Sequence, residues 1–250
     1  MVGGTEGRSV SGRLWKLTPE RLRRDLLRAR RWLRRNRPGR RVRWGNIRRR
    51  APFSTEFALE RGLPVDRHYI AEFVGTHARD IHGDVMEMSR STYTSAYGTA
   101  ISSTTIVDID RTNEQATLFC DLCEPGSLPA SAFDAVVLTQ TIQYLGALDG
   151  AIDNLWQSLR PGGVLLITAP ALARDDPVGG DFWRFTPAGL RLALGERLPA
   201  EAAITVTGYG NAVGATAQIL ATAVEDVGAK HLAAHDPGYP VIVGARVQRM

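Results

Sequence analysis

Four short stretches of this 250-residue chain carry side chains that could do chemistry, and each follows an apolar run. Glu87-Met88-Ser89 closes the first. Asp108, with Asp110 two residues on, follows the second. Asp121-Leu122 follows the third, and Thr139-Gln140-Thr141 the fourth. Carboxylates can accept hydrogen bonds from ribose hydroxyls or an exocyclic amine, while turn amides can take a carboxylate. Any one of these residues alone reads as a turn or cap residue. In this order they read as a surface for a nucleoside.

Other motifs carry less. Cys120-Asp121-Leu122-Cys123 has no second Cys pair, and Pro125-Gly126 follows at once, so neither a redox helix nor a zinc site is supported. Gly208-Tyr-Gly210-Asn-Ala-Val-Gly214 has a dinucleotide-like spacing. It lies too near the end of the sequence for a ribose-binding acid to close a following strand, and reads as a tight corner. The five histidines have no metal-ligand spacing, and no GxSxG or Walker loop occurs.

Stepping outward, these residues need elements to hold them. Strands are expected at 84–88, 100–107, 116–120, 134–139, 164–168, 203–207 and 241–247, with helices at 147–159, 187–194 and 211–227. Unbroken runs such as Ala135-Val136-Val137-Leu138 suit strands buried on both faces. The alternation predicts an α/β fold with a mostly parallel sheet, whose ligands bind beyond the carboxyl ends of the strands. Upstream, Asp66 is expected to cap a helix running to Asp80, and 48–64 to be a loop or short helix.

Charge divides the chain. Residues 1–50 hold 18 of the 31 lysines and arginines against Glu6, Glu20 and Asp25, a net of +15, whereas 51–250 carry 13 basic and 23 acidic residues, a net of −10. We read a basic, Arg-rich N-terminal arm with one amphipathic helix over 1–50 and an acidic domain over 51–250. Met1–Gly12 reads as a loose end. Thr18-Pro19-Glu20 starts a helix and Asn36-Arg37-Pro38-Gly39 stops it. Leu22, Leu26, Ala29 and Leu33 make one apolar stripe, expected to pack on the chain's own domain, with a membrane surface or partner as the other readings. The arm suggests an anionic partner, although an arginine-biased genome would give the same composition. No window is long and apolar enough for a membrane span, no secretory signal is evident, and two cysteines make no disulfide framework. The expected compartment is the cytoplasm.

The sequence resembles the class I S-adenosylmethionine-dependent methyltransferases. The matching residues are Asp121-Leu122, Leu128-Pro129, Ala132-Phe133-Asp134-Ala135-Val136-Val137 and Leu159-Arg160-Pro161-Gly162-Gly163-Val164-Leu165-Leu166-Ile167, in the family's order and spacing. The resemblance implies a Rossmann-like, seven-stranded, mostly parallel sheet with the last strand antiparallel and helices on both faces, and S-adenosylmethionine as cofactor. Carried over, Glu87, Met88 and Ser89 hold the first motif, Asp108 stands for the ribose acid, Asp121 and Leu122 hold the adenine, and Thr139 and Gln140 flank the methyl donor. Two departures stand out. Glu87-Met88-Ser89-Arg90-Ser91 lacks the family's first-motif glycines, and Thr104-Thr105 stand where the ribose acid is expected, which displaces that acid to Asp108 or Asp110. The helix between strands one and two looks short.

A narrower likeness is to bacterial glycan and secondary-metabolite methyltransferases, carried by Arg61–Ile70, Leu138–Gln143, Trp183-Arg184-Phe185-Thr186 and His235–Tyr239. It implies O-methylation of a glycan, glycolipid precursor or secondary metabolite. The rival readings are nucleic-acid methylation, a catalytically silent binding subunit, and a nicotinamide oxidoreductase. Asp181, His68 and His235 are candidate bases, none of them assigned. Pro170–Thr186 reads as a lid.

Overall fold

The computed structural model describes residues 19–36, 45–176 and 180–250. They fall into two units, Met1–Arg50 and Ala51–Met250, each described here by itself. The loose end at Met1–Gly12, the Thr18 cap, the Arg37-Pro38-Gly39 stop and the centre of the lid at 177–179 lie outside the described residues.

In the first unit, α1 spans Glu20–Asn36. Its sequence, ERLRRDLLRARRWLRRN, puts leucines at i, i+4 and i+11, which a 3.6-residue turn gathers on one side. Leu22, Leu26 and Leu33 are 51, 48 and 56% exposed.

The second unit is built on one sheet of seven strands: β1 (Gly83–Met88), β2 (Ile101–Asp108), β3 (Leu118–Phe119), β4 (Phe133–Thr139), β5 (Leu159–Pro170), β6 (Ala203–Tyr209) and β7 (Ile242–Gln248). Their order is β3-β2-β1-β4-β5-β7-β6. Pairings are parallel through β5, and β7 runs antiparallel between β5 and β6. The helices are α2 (Val65–Thr76), α3 (Thr92–Tyr97), α4 (Leu148–Ser158), α5 (Pro187–Arg197), α6 (Ala212–Ile219) and α7 (Val224–Val227). Alternate strand residues feed two cores. Val136, Leu138, Leu165 and Ile167 join α4 and α5 on one face. Val85, Ala135, Val137 and Leu166 meet Tyr69, Ile70 and Phe73 of α2 on the other. The Rossmann-like sheet with helices on both faces is therefore as the sequence implied.

Three local expectations are corrected. Asp66 is not the cap of α2; Pro64 is, and Asp66 lies in the first turn, where its Oδ1 accepts the Arg67 backbone N–H at 2.8 Å. The helix ends at Thr76, and a separate 3-10 turn takes in Ala78–Asp80. The expected helix over 211–227 is broken into α6 and α7. There the chain docks instead on the segment before α2: the Val224 N–H donates to the Leu63 carbonyl, Pro64 and Ala223 form a β-bridge, and Arg61 grips Asp226 through Nε (2.9 Å) and Nη2 (2.8 Å). Tertiary hydrogen bonds outweigh the helical preference of four residues.

Candidate active site

Strand order reverses about β1 and β4, which opens a crevice beyond their carboxyl ends. Met88 pairs with Val107, and Glu87 with Val137, so the ends of β1, β2 and β4 lie level. Everything chemical begins there.

The turn after β1 lacks glycine yet adopts a glycine-like shape. Ser89 has φ 59°, in the left-handed region that costs an L-residue about 1 kcal/mol or more. Two hydrogen bonds hold it: its N–H donates to the Val107 carbonyl at 2.9 Å, and its carbonyl accepts from Asn113 Nδ2 at 2.8 Å. Glu87 is 1% exposed. Its oxygens accept the Tyr93 and Thr94 backbone N–H groups at 2.8 and 2.7 Å, so this carboxylate caps the first turn of α3. Burial pushes its pKa up against those hydrogen bonds.

Asp108 is the last residue of β2. An acid therefore does stand at the end of β2, since the strand runs past Thr104-Thr105 to end on Asp108. Its Oδ1 accepts the Asp110 N–H at 3.0 Å and its Oδ2 accepts Asn113 Nδ2 at 2.7 Å. Partial burial pushes the carboxyl up, but these and neighbouring donors outweigh it and hold it below the usual range. Asp110 instead closes its own turn onto Thr112.

Asp121 accepts the Cys123 N–H at 2.8 Å. Leu122 is buried, and its carbonyl accepts from Asn154 Nδ2 of α4 at 2.8 Å. The same amide donates to the Glu124 carbonyl at 2.7 Å, and its oxygen accepts the Gly126 N–H at 3.0 Å. Asn154 thereby sets the loop over 122–126 after β3, a role sequence reading missed, because a helical Asn carries no signal of what lies opposite it.

At the end of β4, Gln140 is again left-handed, φ 47°. Its N–H donates to the Thr168 carbonyl at 2.9 Å, and its carbonyl accepts from Gln143 Nε2 at 2.9 Å. The Gln140 Nε2 and Gln143 Oε1 atoms are buried without partners among the described residues.

Three cavities meet here. The first, about 660 Å³, is lined by Met88, Ser89, Asp108, Asp121, Leu122 and Gln140, with Ile109, Tyr144, Leu145 and Phe182 as apolar walls. A second, about 470 Å³, takes in Glu87, Met88, Ser89, Thr139 and Gln140 with Arg67, Arg90 and Tyr93. All eight residues expected from the sequence line one or both. Cys120 and Cys123, set aside as a redox or zinc pair, line the first as free thiols, and burial pushes Cys120 up, away from thiolate chemistry. The third, about 210 Å³, is lined by Asp66, Arg67, Gln140, Gln143, Tyr144 and Arg184 among others.

The described parts of the lid are tied down. Arg184 pairs with Asp181 through both nitrogens, at 2.5 and 2.6 Å, and the Asp181 Oδ2 also accepts the Asp176 N–H at 3.0 Å. The Phe182 N–H donates to the Gln143 carbonyl at 2.8 Å, and Trp183 Nε1 donates to the Leu145 carbonyl at 3.0 Å. Arg184 holds the Asp181 carboxyl below its usual range, which suits an anchor and not a base. His235 is engaged elsewhere: its Nδ1 accepts the Gly210 N–H at 3.2 Å, which puts the proton on Nε2, 2.8 Å from Glu72. Gly210 and Gly214 are packing glycines. A Cβ would meet Val241 N at 2.6 Å and the Tyr69 hydroxyl at 2.6 Å, so close packing accounts for both glycines.

Residues 82–167, from the approach to β1 into β5, match the methyltransferase-domain family. Over those residues the chain is similar to the methyltransferase-domain family, and its sheet has the α/β Rossmann-like methyltransferase fold. Its fold is similar to that of the methyltransferase solved in complex with the Trm112 activator from Haloferax volcanii, at 13% identity and TM-score 0.51, covering 74% of this chain and 91% of that one. A Mesorhizobium loti S-adenosylmethionine-dependent methyltransferase (13% identity, TM-score 0.47, 74% and 98% covered) and the [4+2]-cyclase SpnF (15%, 0.48, 75% and 83%) are also similar. No curated protein matches the sequence.

S-adenosylmethionine is the cofactor of this domain class, and the residues fit it. A carboxylate at the β2 end suits the ribose hydroxyls, Asp121 and the Leu122 amide suit the adenine edge, and the unpartnered Gln140 Nε2 offers a donor at the methionine end.

Proposed function

We propose that this domain binds S-adenosylmethionine in the two larger cavities and methylates a hydroxyl of an acceptor held in the third. The observation that carries the reading is Gln140, which lines all three. A donor and an acceptor placed in these chambers would come together at that residue, and an in-line displacement needs the two held close and collinear. Ser89, at φ 59°, takes the backbone form that a first-motif glycine would take, which favours a working cofactor site over a silent one.

When bound, the cofactor supplies an electrophilic methyl group on a sulfonium. The chain's own part is to position the acceptor and take its proton. Asp66 suits the second task. It lines the third cavity, its Oδ1 accepts the Arg67 backbone N–H at 2.8 Å, and burial raises its pKa despite the opposing Arg67 charge and backbone hydrogen bonds. The other two carboxylates there are committed: Asp181 to Arg184, and Asp176 to the Tyr144 hydroxyl at 3.1 Å. A base whose pKa is raised toward the working pH is a better proton acceptor than an ordinary aspartate. Gln143, Gln140 and Tyr144 supply hydrogen-bonding groups, and Leu59, Pro64 and Pro170 apolar surface. That mixture suits a polyol such as a glycan, a glycolipid precursor or a hydroxylated secondary metabolite. We place the reaction in the cytoplasm, where Cys120 and Cys123 stay reduced. Among the described residues no helix is long and apolar enough to cross a membrane.

The test is calorimetric titration of the full chain with S-adenosylmethionine and S-adenosylhomocysteine, followed by transfer of labelled methyl to hydroxylated acceptors. Micromolar binding lost in Asp108→Ala supports the reading. A folded protein that binds neither ligand overturns it.

A further inference from the structure

Helix α1 has the construction of an element that lies in the surface of a lipid bilayer. Its 17 residues include eight arginines, at 21, 23, 24, 28, 30, 31, 34 and 35, against Glu20 and Asp25. Leu22, Leu26, Ala29 and Leu33 fall within about 60° of one another at 100° per residue, on the geometry of 3.6 residues per turn. The three leucines are each about half exposed, and Leu27 is 38% exposed.

The two features point to one occupant. Arginines alone would suit any polyanion, since phosphate is gripped by charge and hydrogen bonds. A leucine row has no use in gripping a nucleic-acid backbone, which offers no apolar surface at its phosphates. Pairing with α1 of a second copy would cover the leucines, but it would bring two helices of net charge +6 together and repel. An anionic bilayer meets both needs at once: the leucines enter the acyl boundary while the arginines lie among headgroup phosphates, with their stems along the interface. We propose that α1 binds the chain to membranes rich in anionic lipid, lying in the interface and not spanning it. The leucine stripe is too narrow for a span, and arginines occupy most of the remaining circumference, with Leu27 and Trp32 among them. Attachment by α1 is independent of whether the domain transfers methyl groups.

The experiment is sedimentation of the full chain with vesicles of phosphatidylcholine alone and of phosphatidylcholine with phosphatidylglycerol. It is repeated for Leu26→Ser/Leu33→Ser and for Arg24→Gln/Arg28→Gln/Arg31→Gln. We expect binding to the anionic vesicles, weak binding to the neutral ones, and a loss of about tenfold or more in partitioning for either variant, since both burial and charge contribute. Unchanged thermal unfolding of the variants shows that 51–250 is intact. No binding to anionic vesicles overturns the proposal. So does vesicle binding that survives the leucine change, or a leucine variant that dissociates a dimer of the parent chain. Tight, steeply salt-dependent binding to duplex or single-stranded nucleic acid that the leucine variant retains, with none to vesicles, assigns the arginines to the other polyanion.

Discussion

Asn113 joins Asp108 to Ser89. One amide nitrogen reaches the Asp108 carboxylate at 2.7 Å and the Ser89 carbonyl at 2.8 Å. The acid at the end of β2 and the turn after β1 are thus set against each other by a third residue in neither strand.

Asn113→Ala therefore perturbs both at once. A hydrogen bond to a charged group contributes about 1.5–3 kcal/mol, so S-adenosylmethionine affinity falls by roughly tenfold or more, read by calorimetry. Asp108→Ala falls further, because it removes the group that meets the ribose. Equal affinities for the parent and both variants would remove Asp108 from the cofactor site.

Ser89→Gly has the opposite sign. Glycine relieves the left-handed conformation at φ 59°, and the gain of about 1 kcal/mol is partly offset by its greater unfolded freedom and by loss of the Ser89 side chain that helps hold the Asp108 pKa down. The unfolding midpoint rises by about 1–3 °C for a domain of this size. Ser89→Val, β-branched at the same dihedral, lowers it.

Asp66→Asn separates chemistry from binding. The parent rate climbs with pH as Asp66 loses its proton, and burial puts that limb above the ordinary aspartate range. The amide variant lacks the limb and loses roughly 10²–10⁴ in kcat, the usual worth of a general base, while cofactor affinity stays. For stability the sign is reversed. A raised folded pKa means that the folded state holds its proton more tightly than the unfolded chain. Stability from this group is full below the unfolded pKa and is lost as pH rises through the folded one. At neutral pH, Asp66→Asn is accordingly no less stable than the parent.

Asp181→Asn acts on the acceptor side. The Arg184 pairing holds the Asp181 pKa down. Its stabilisation is present above the unfolded pKa and is lost as pH falls through the lowered one. Losing the paired charge costs roughly 1–3 kcal/mol at neutral pH and frees the segment around Phe182 and Trp183. The expected readout is a raised acceptor KM with little change in cofactor affinity.

Gln140→Leu keeps the bulk and removes the unpartnered amide. Cofactor affinity falls by a few-fold if Nε2 donates to the methionine end, and kcat/KM for the acceptor falls with it. An unchanged titration assigns the amide to the acceptor alone.

Much of this architecture was legible because strand signals are local. Ala135–Leu138 and Val164–Ile167 are continuous apolar runs, and each strand end is marked by a polar residue. All seven strands lie within a few residues of their expected places, apart from β5, which starts earlier across a bulge, and β3, which is short. The eight residues expected at a cofactor gather at the crevice because each sits at or just beyond the end of an apolar run. What stayed hidden depends on partners distant in sequence. Asp66 reads as a cap until the cavity beside it is seen. Asn154 acts on a loop 30 residues away. Ala221 turns to φ 49° and breaks the expected helix where the chain reaches Leu63 and Pro64. Asp108 looked displaced because Thr104-Thr105 were read at the acid's place, whereas β2 runs on to Asp108.

The sheet order has a consequence for assembly. Among the described residues β6 has a single strand neighbour, β7, and β7 also pairs with β5. β6 leaves the ribosome first but has no ladder to join until the later strand arrives between it and β5. Until then its backbone donors and acceptors face water or a stray partner. Folding of this end waits on a distant pairing, which slows the final step and leaves the nascent chain open longest at that edge.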